Sequence, residues 1–125
     1  MRLWIILGSL NMAIAIALGA FGAHGLKTKI SKHMFENWNT GTHYHIVHAL
    51  ALLFIAFLIS KVGEQTSLVS IAGWLIVLGI LLFSGSLYIM AITNIKTLGA
   101  ITPIGGISFI IAWILIASSA WKALG

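Results

Sequence analysis

Five histidines fall between positions 24 and 48 of this 125-residue chain: His24, His33, His43, His45 and His48. On a helix His45 and His48 are three apart and share a face, whereas His43 points elsewhere. Two imidazoles at that spacing can ligate one metal, but zinc takes three or four ligands, and the chain has no cysteine. Glu36 and the remaining histidines are the residues left to complete such a site. A haem held between His24 and one of the pair is the other redox arrangement open to them. The plainer alternative is a pair of hydrogen-bonded histidines just inside a membrane boundary, orienting a second helix against the turn at 19–26. An ionisable group at that depth is costly enough to be a functional candidate by default, and an imidazole can move protons near neutral pH. We expect no cofactor and no metal, with His45 and His48 as the positions to watch if one is present.

Other catalytic sets are poorly supplied. There is no aspartate, and both glutamates, Glu36 and Glu64, fall at interfacial or loop positions, so paired-carboxylate catalysis has no basis. Ser84 and Ser86 could face His45 or His48 as a hydroxyl with a base, but only the residue types support this. The glycines from Gly19 to Gly25 form no nucleotide loop, since no strand precedes them and no Lys-Ser or Lys-Thr follows. Gly22 and Gly25 read instead as the close-packed end and C-terminal cap of a first helix. Enzymatic activity is not indicated.

The elements that must position these groups are membrane spans. Sixty per cent of the residues are hydrophobic and 7% charged, at a mean hydropathy of +1.09. A soluble domain of this size could not cover itself with so few charges. The net charge of +5 comes from basic residues at segment ends, which suits anionic head groups rather than nucleic acid. The apolar stretches Leu3–Ala23, His45–Ser60, Leu68–Ile95 and Ile101–Trp121 predict a single all-α transmembrane four-helix bundle over residues 1–125. Its helices are expected near 3–23, 43–60, 68–93 and 102–122, with Pro103 in the first turn of the last. The first stretch could alternatively be a signal peptide, but it is longer than an h-region of about 7–15 residues. Ahead of the second span, Ser31 is a candidate N-cap. Met34, Phe35, Trp38 and Thr42 then fall opposite Lys32, Glu36 and Asn39 or His43, an interfacial amphipathic segment. The positive-inside rule places the 24–42 loop in the cytoplasm by four basic residues to three, a margin that decides little.

Between helices in lipid, small residues mark the contacts. The first helix carries Gly8, Asn11, Ala15, Gly19 and Gly22 at steps of three and four. The last carries Gly105, Ser108, Ala112 and Ser119, and the third adds Ser84, Gly85 and Tyr88. These faces can be close packing, the lining of a narrow polar cavity, or both. Asn11, near mid-depth, should bond to another helix rather than face lipid.

Four segments resemble the signatures of a known family. They are Gly19–Leu26 (GAFGAHGL), Tyr44–Ala49 (YHIVHA), Phe83–Tyr88 (FSGSLY) and Thr102–Gly106 (TPIGG). The chain is identified as similar, over essentially its whole length, to small bacterial inner-membrane proteins classed under a numbered domain of unknown function, with similar small proteins in eukaryotes. The resemblance implies a four-helix, multi-pass protein of the plasma (inner) membrane and supplies no activity. It marks His24, Tyr44, His45, His48, Ser84, Ser86, Tyr88, Thr102 and Pro103. In an up-and-down bundle these motifs converge at one end. We therefore expect His24, Tyr44, His45, His48, Ser84, Ser86, Tyr88, Thr102 and Gly105 to bind a lipid or small amphiphile, or to pass a small solute. The rivals are an assembly role, with a homo-oligomer or another membrane protein as partner, and a histidine-based metal or haem site. Membrane lipids are the expected partners in any case.

Overall fold

The computed structural model describes residues 1–63 and 67–124; Glu64 lies outside them. Helix α1 (Arg2–Phe21) winds into a π-helical turn, Gly22–Leu26, closed by the Lys27 N–H on the Gly22 carbonyl at 3.1 Å. Ser31 then starts α2 (Lys32–Val62): its backbone is extended and its hydroxyl accepts the Met34 N–H at 3.2 Å, the expected cap. Gly63, at φ 77°, ends α2 in a backbone conformation that favours glycine. Helix α3 (Ser67–Gly79) passes through a second π turn, Ile80–Ser84, into α4 (Gly85–Thr93). Asn94 closes α4 in the left-handed region, where asparagine is tolerated. A 3₁₀ turn, Lys96–Ala100, leads to α5 (Thr102–Leu124), with Pro103 in its first turn. No strand occurs among the described residues, and four helical stretches are long and apolar enough to span.

One expectation is corrected. Gly25 does not cap the first helix but lies inside its π turn, and the missing Cβ leaves room for the Phe21 ring.

Helix length sets the depth of everything else. The 31 residues of α2 extend about 46 Å at a rise of ~1.5 Å per residue, against a hydrocarbon core of about 30 Å. The excess lies at its N-terminal end, where polarity alternates around the helix. Met34, Trp38 and Thr42 are buried, while Lys32, Glu36, Asn39 and His43 are exposed. The amphipathic interfacial segment is therefore the first three turns of α2, continuous with its span.

The spans run up and down. Gly8 faces Leu53, Gly19 faces Thr42 and Gly22 faces Trp38, so α1 lies antiparallel on α2 along its small face. Gly41 of α2 meets Leu87 and Tyr88 of α4. Gly79 faces the Phe109 ring, and Gly105 lies against the Phe83 backbone, pairing α3 and its π turn with α5. Helix α2 is central, touching α1, α3 and α4. At the end formed by Arg2, Val62, Ser67 and Leu124 (the far end), the core is apolar, with Trp4, Leu52, Ile55, Ile59, Val69 and Ile76 buried. The opposite, near end holds the π turn of α1, the starts of α2 and α5, and the end of α4. Large side chains such as Ile5, Leu10, Leu81, Ile107 and Ile114 remain exposed, as lipid-facing groups should.

Adjacent glycines of α5 provide a test of this packing. A Cβ on Gly105 would collide with Phe83 backbone atoms, whereas one on Gly106 would meet the Phe83 ring at 3.7–3.8 Å, an ordinary contact. Gly105→Ala should destabilise the bundle by about 1–3 kcal/mol through overpacking. Gly106→Ala should be neutral, or stabilising by up to about 1 kcal/mol through helix propensity. Unfolding of both variants in mixed micelles, followed by circular dichroism, checks the contrast.

Candidate functional site

The polar groups predicted to converge do lie toward the near end, but they separate into distinct clusters. In the first, the two ring nitrogens of His45 bridge three spans. Nδ1 is 3.0 Å from the Tyr88 hydroxyl of α4, and Nε2 is 3.0 Å from Asn11 Oδ1 of α1. The Asn11 amide nitrogen donates to the Leu7 carbonyl at 2.9 Å, so its oxygen faces His45 as an acceptor. The chain therefore has one direction: Tyr88 O–H donates to Nδ1, Nε2–H donates to Asn11, and Asn11 donates to Leu7. Asn11 does what its mid-helix position required.

His48 belongs to a second cluster. The Trp113 indole N–H donates to His48 Nε2 at 3.1 Å, so the ring proton is on Nδ1 and goes to the Tyr44 carbonyl at 2.7 Å. The Phe109 ring stacks on this imidazole at a centroid distance of 3.5 Å. His45 and His48 share a face of α2, as spacing predicts, yet all four of their ring nitrogens already have protein partners. Among the described residues no three His, Cys, Asp or Glu gather as a metal site.

The remaining predicted residues scatter. Ser84, fully buried, donates to the Gly41 carbonyl at 2.7 Å, a bond that ties the second π turn to α2. Ser86 donates to the Phe83 carbonyl at 2.9 Å and lies 2.6 Å from the Thr102 hydroxyl, which therefore donates to it and ties α4 to the start of α5. The Tyr44 side chain is 40% exposed and lies outside the interior. Gly105 is a packing position. His24 is exposed on the π turn of α1. Among the described residues no buried side-chain nitrogen or oxygen lacks a partner.

Open space lies elsewhere at the same end. A cleft of about 440 Å³ separates the first turns of α2 from the end of α4 and the start of α5. Phe83, Leu87, Met90 and Pro103 give it apolar walls, and His33, Asn37, Lys96 and Thr102 give it polar positions. A second depression of about 510 Å³ adjoins it, sharing His33, Met34 and Lys96 and adding Lys29, Ser31 and Asn94. A shallower notch of about 270 Å³ opens toward lipid between Tyr44, Phe83 and Trp113. Of the predicted site residues, Thr102 lines the first cleft and Tyr44 and His48 line the notch.

Sequence reasoning placed Met34 and Trp38 on one face of the amphipathic segment without giving either a role at the site, and it missed Trp113 and the lining residues Asn37, Lys96 and Gly99. Trp38 donates to the Leu18 carbonyl at 2.9 Å, just before the π turn of α1, with its indole over Gly22. A usable signal existed, because an indole N–H inside a membrane protein needs an acceptor.

Four apolar spans, paired antiparallel and closed by internal hydrogen bonds, define a multi-pass membrane protein. The comparisons give the particular family. Residues 18–106 match the family model described as "Protein of unknown function (DUF423)". The chain is 53% identical over 124 residues to the UPF0382 membrane protein YwdK of Bacillus subtilis (strain 168), covering 99% of this chain and 100% of that relative. It is 51% identical over 125 residues to the UPF0382 membrane protein SAB0533 of Staphylococcus aureus (strain bovine RF122 / ET3-1), covering 100% of both. The chain belongs to this family. No solved structure matches it.

The His48–Trp113 bond predicts energetic coupling between α2 and α5. Trp113→Phe and His48→Phe should each destabilise the protein, and together should cost less than their sum. The expected coupling is about 0.6 kcal/mol and at most about 1.7 kcal/mol, the mean and maximum for hydrogen bonds between membrane helices. A double-mutant cycle in mixed micelles measures it.

Proposed function

We propose that this membrane protein binds a lipid or similar amphiphile at its near end, in the cleft between the start of α2, the end of α4 and the start of α5. The observation that carries this proposal is the cleft's two-sided chemistry. Its volume of about 440 Å³ falls in the usual range for ligand sites, roughly 300–1,000 Å³. Its walls are apolar, and its polar positions lie at the depth where α2 emerges from hydrocarbon. An acyl chain would lie against Phe83, Leu87 and Met90, while a head group would meet His33, Asn37 and Lys96. The binding surface thus shifts outward from the buried histidines, whose hydrogen-bonding capacity is already used. Those histidines act beneath it by fixing α1, α4 and α5 on α2.

Solute passage has less support. Among the described residues the far-end core is apolar, and its buried Ser119 hydroxyl is spent on the Ile116 carbonyl of its own helix.

The test is native mass spectrometry of the full chain extracted in mild detergent. It should carry a retained amphiphile, and Gly99→Phe should lose it. Gly99 borders the cleft, its nearest constraint being Met90 Sδ at 3.7 Å from an added Cβ, so a ring there can occupy the space. Ser84→Leu is a poorer probe, because Ser84 holds a helix contact instead of lining the cleft. A lipid-free protein, or one retaining lipid equally in Gly99→Phe, would overturn the proposal; a protein partner at fixed ratio without lipid would replace it with assembly.

A further inference from the structure

The cleft and its neighbouring depression share His33, Met34 and Lys96, so they make one continuous trough. Lys96 stands where the two join, and Lys29 stands on the outer part. Both lysines are exposed. Among the described residues the one side-chain carboxylate is Glu36, and it lies in a different depression with Lys27 and Lys32. The trough is therefore cationic without internal neutralisation, whereas in the neighbouring depression Glu36 offsets one of the two lysines.

Helix dipoles do not decide the sign. The starts of α2 and α5 bring positive ends to the trough, but the end of α4 brings a negative one, and these oppose each other. The Ser31 hydroxyl already satisfies the Met34 N–H. What remains is a pair of ammonium groups, the His33 ring and the Asn37 and Asn94 amides around an apolar slot at head-group depth.

We infer that the trough takes an anionic phospholipid, with its phosphate seated between Lys29 and Lys96 and an acyl chain against Leu87 and Met90. This rests on the amphiphile-binding proposal and adds the charge class of the head group. A free phosphate would satisfy the lysines but leave the apolar walls uncovered; the lipid satisfies both. Lysine suits the task as a flexible point charge toward a phosphate.

The experiment is native mass spectrometry of the full chain released from nanodiscs with equal parts phosphatidylglycerol and phosphatidylcholine. Retained lipid should be enriched in phosphatidylglycerol by about fivefold for each lysine, from the usual attraction of a basic residue to an anionic surface. Lys29→Gln with Lys96→Gln should remove the enrichment while phosphatidylcholine is still retained. Lys61→Gln with Lys122→Gln, an equal charge change at the far end, should leave it intact. Millimolar inorganic phosphate should not displace the lipid. Equal retention of both lipids by the parent chain would overturn the anionic assignment alone, leaving amphiphile binding in place. Retention of neither lipid would overturn both. Loss of enrichment in the far-end pair would show bulk charge rather than a seat, and displacement by phosphate would show a free-anion site; either result overturns the inference.

Discussion

A donor carried into hydrocarbon has no water to bond, so its acceptor must come from the protein itself. That constraint organises this bundle. Among the described residues three side chains reach across to a main-chain carbonyl of a neighbouring span: Trp38 to Leu18, Ser84 to Gly41 and Ser108 to Leu75. A helical carbonyl is usually occupied by its own ladder, so a second donor can reach it only where backbones approach closely. Small residues provide that approach. Gly22 lies under the Trp38 indole, Gly41 is itself an acceptor, and Gly105 lets α5 rest on the Phe83 backbone. The small faces and the cross-helix bonds are two aspects of one arrangement.

The histidines obey the same rule. Each ring needs a donor on one side and an acceptor on the other when it is neutral. His45 receives from Tyr88 and gives to Asn11; His48 receives from Trp113 and gives to Tyr44. Between them these two residues of α2 tie in α1, α4 and α5. Losing either ring would orphan a donor or an acceptor in a neighbouring span, a larger penalty than losing the bond itself. This explains why such residues can be indispensable to the bundle without touching a ligand.

Much of this was legible in the sequence, and the parts that were not share a cause. The four spans, the Ser31 cap, the small face of α1 and the inward Asn11 are all set by periodicity along one helix. Partners across helices are not, because they depend on rotation and register between spans. The pairing of His48 with Trp113 and of Trp38 with Leu18 is of that kind. The π turns add a phase error. One extra residue rotates the remainder of the span by about 100° relative to a regular helix. The turn at Ile80–Ser84 overlaps the start of the motif Phe83–Tyr88, whose hydroxyls then diverge: Ser84 to α2, Ser86 to α5 and Tyr88 to His45. The turn at Gly22–Leu26 likewise takes Gly25 into the helix, where a cap was expected. The cleft was invisible for a third reason, since a void is defined by side chains that do not touch.

Where that void lies is itself a consequence of the solvent boundary. Within hydrocarbon a polar-lined opening would leave its groups unpaired, and an empty apolar one would forfeit the contacts of its walls. The hydrocarbon-depth core accordingly closes with apolar side chains in contact. At head-group depth the penalty relaxes, because water, phosphate and acyl chains are all available to fill a gap. Helix α2 extends past the hydrocarbon and carries His33, Met34 and Asn37 to that depth, opposite the end of α4 and the turn bearing Lys96. A long central helix therefore both closes the core and projects one wall of a trough at the level where a trough is stable. The buried network and the open cleft are two ends of one structural element, which is why the histidine motif and the binding surface adjoin without coinciding.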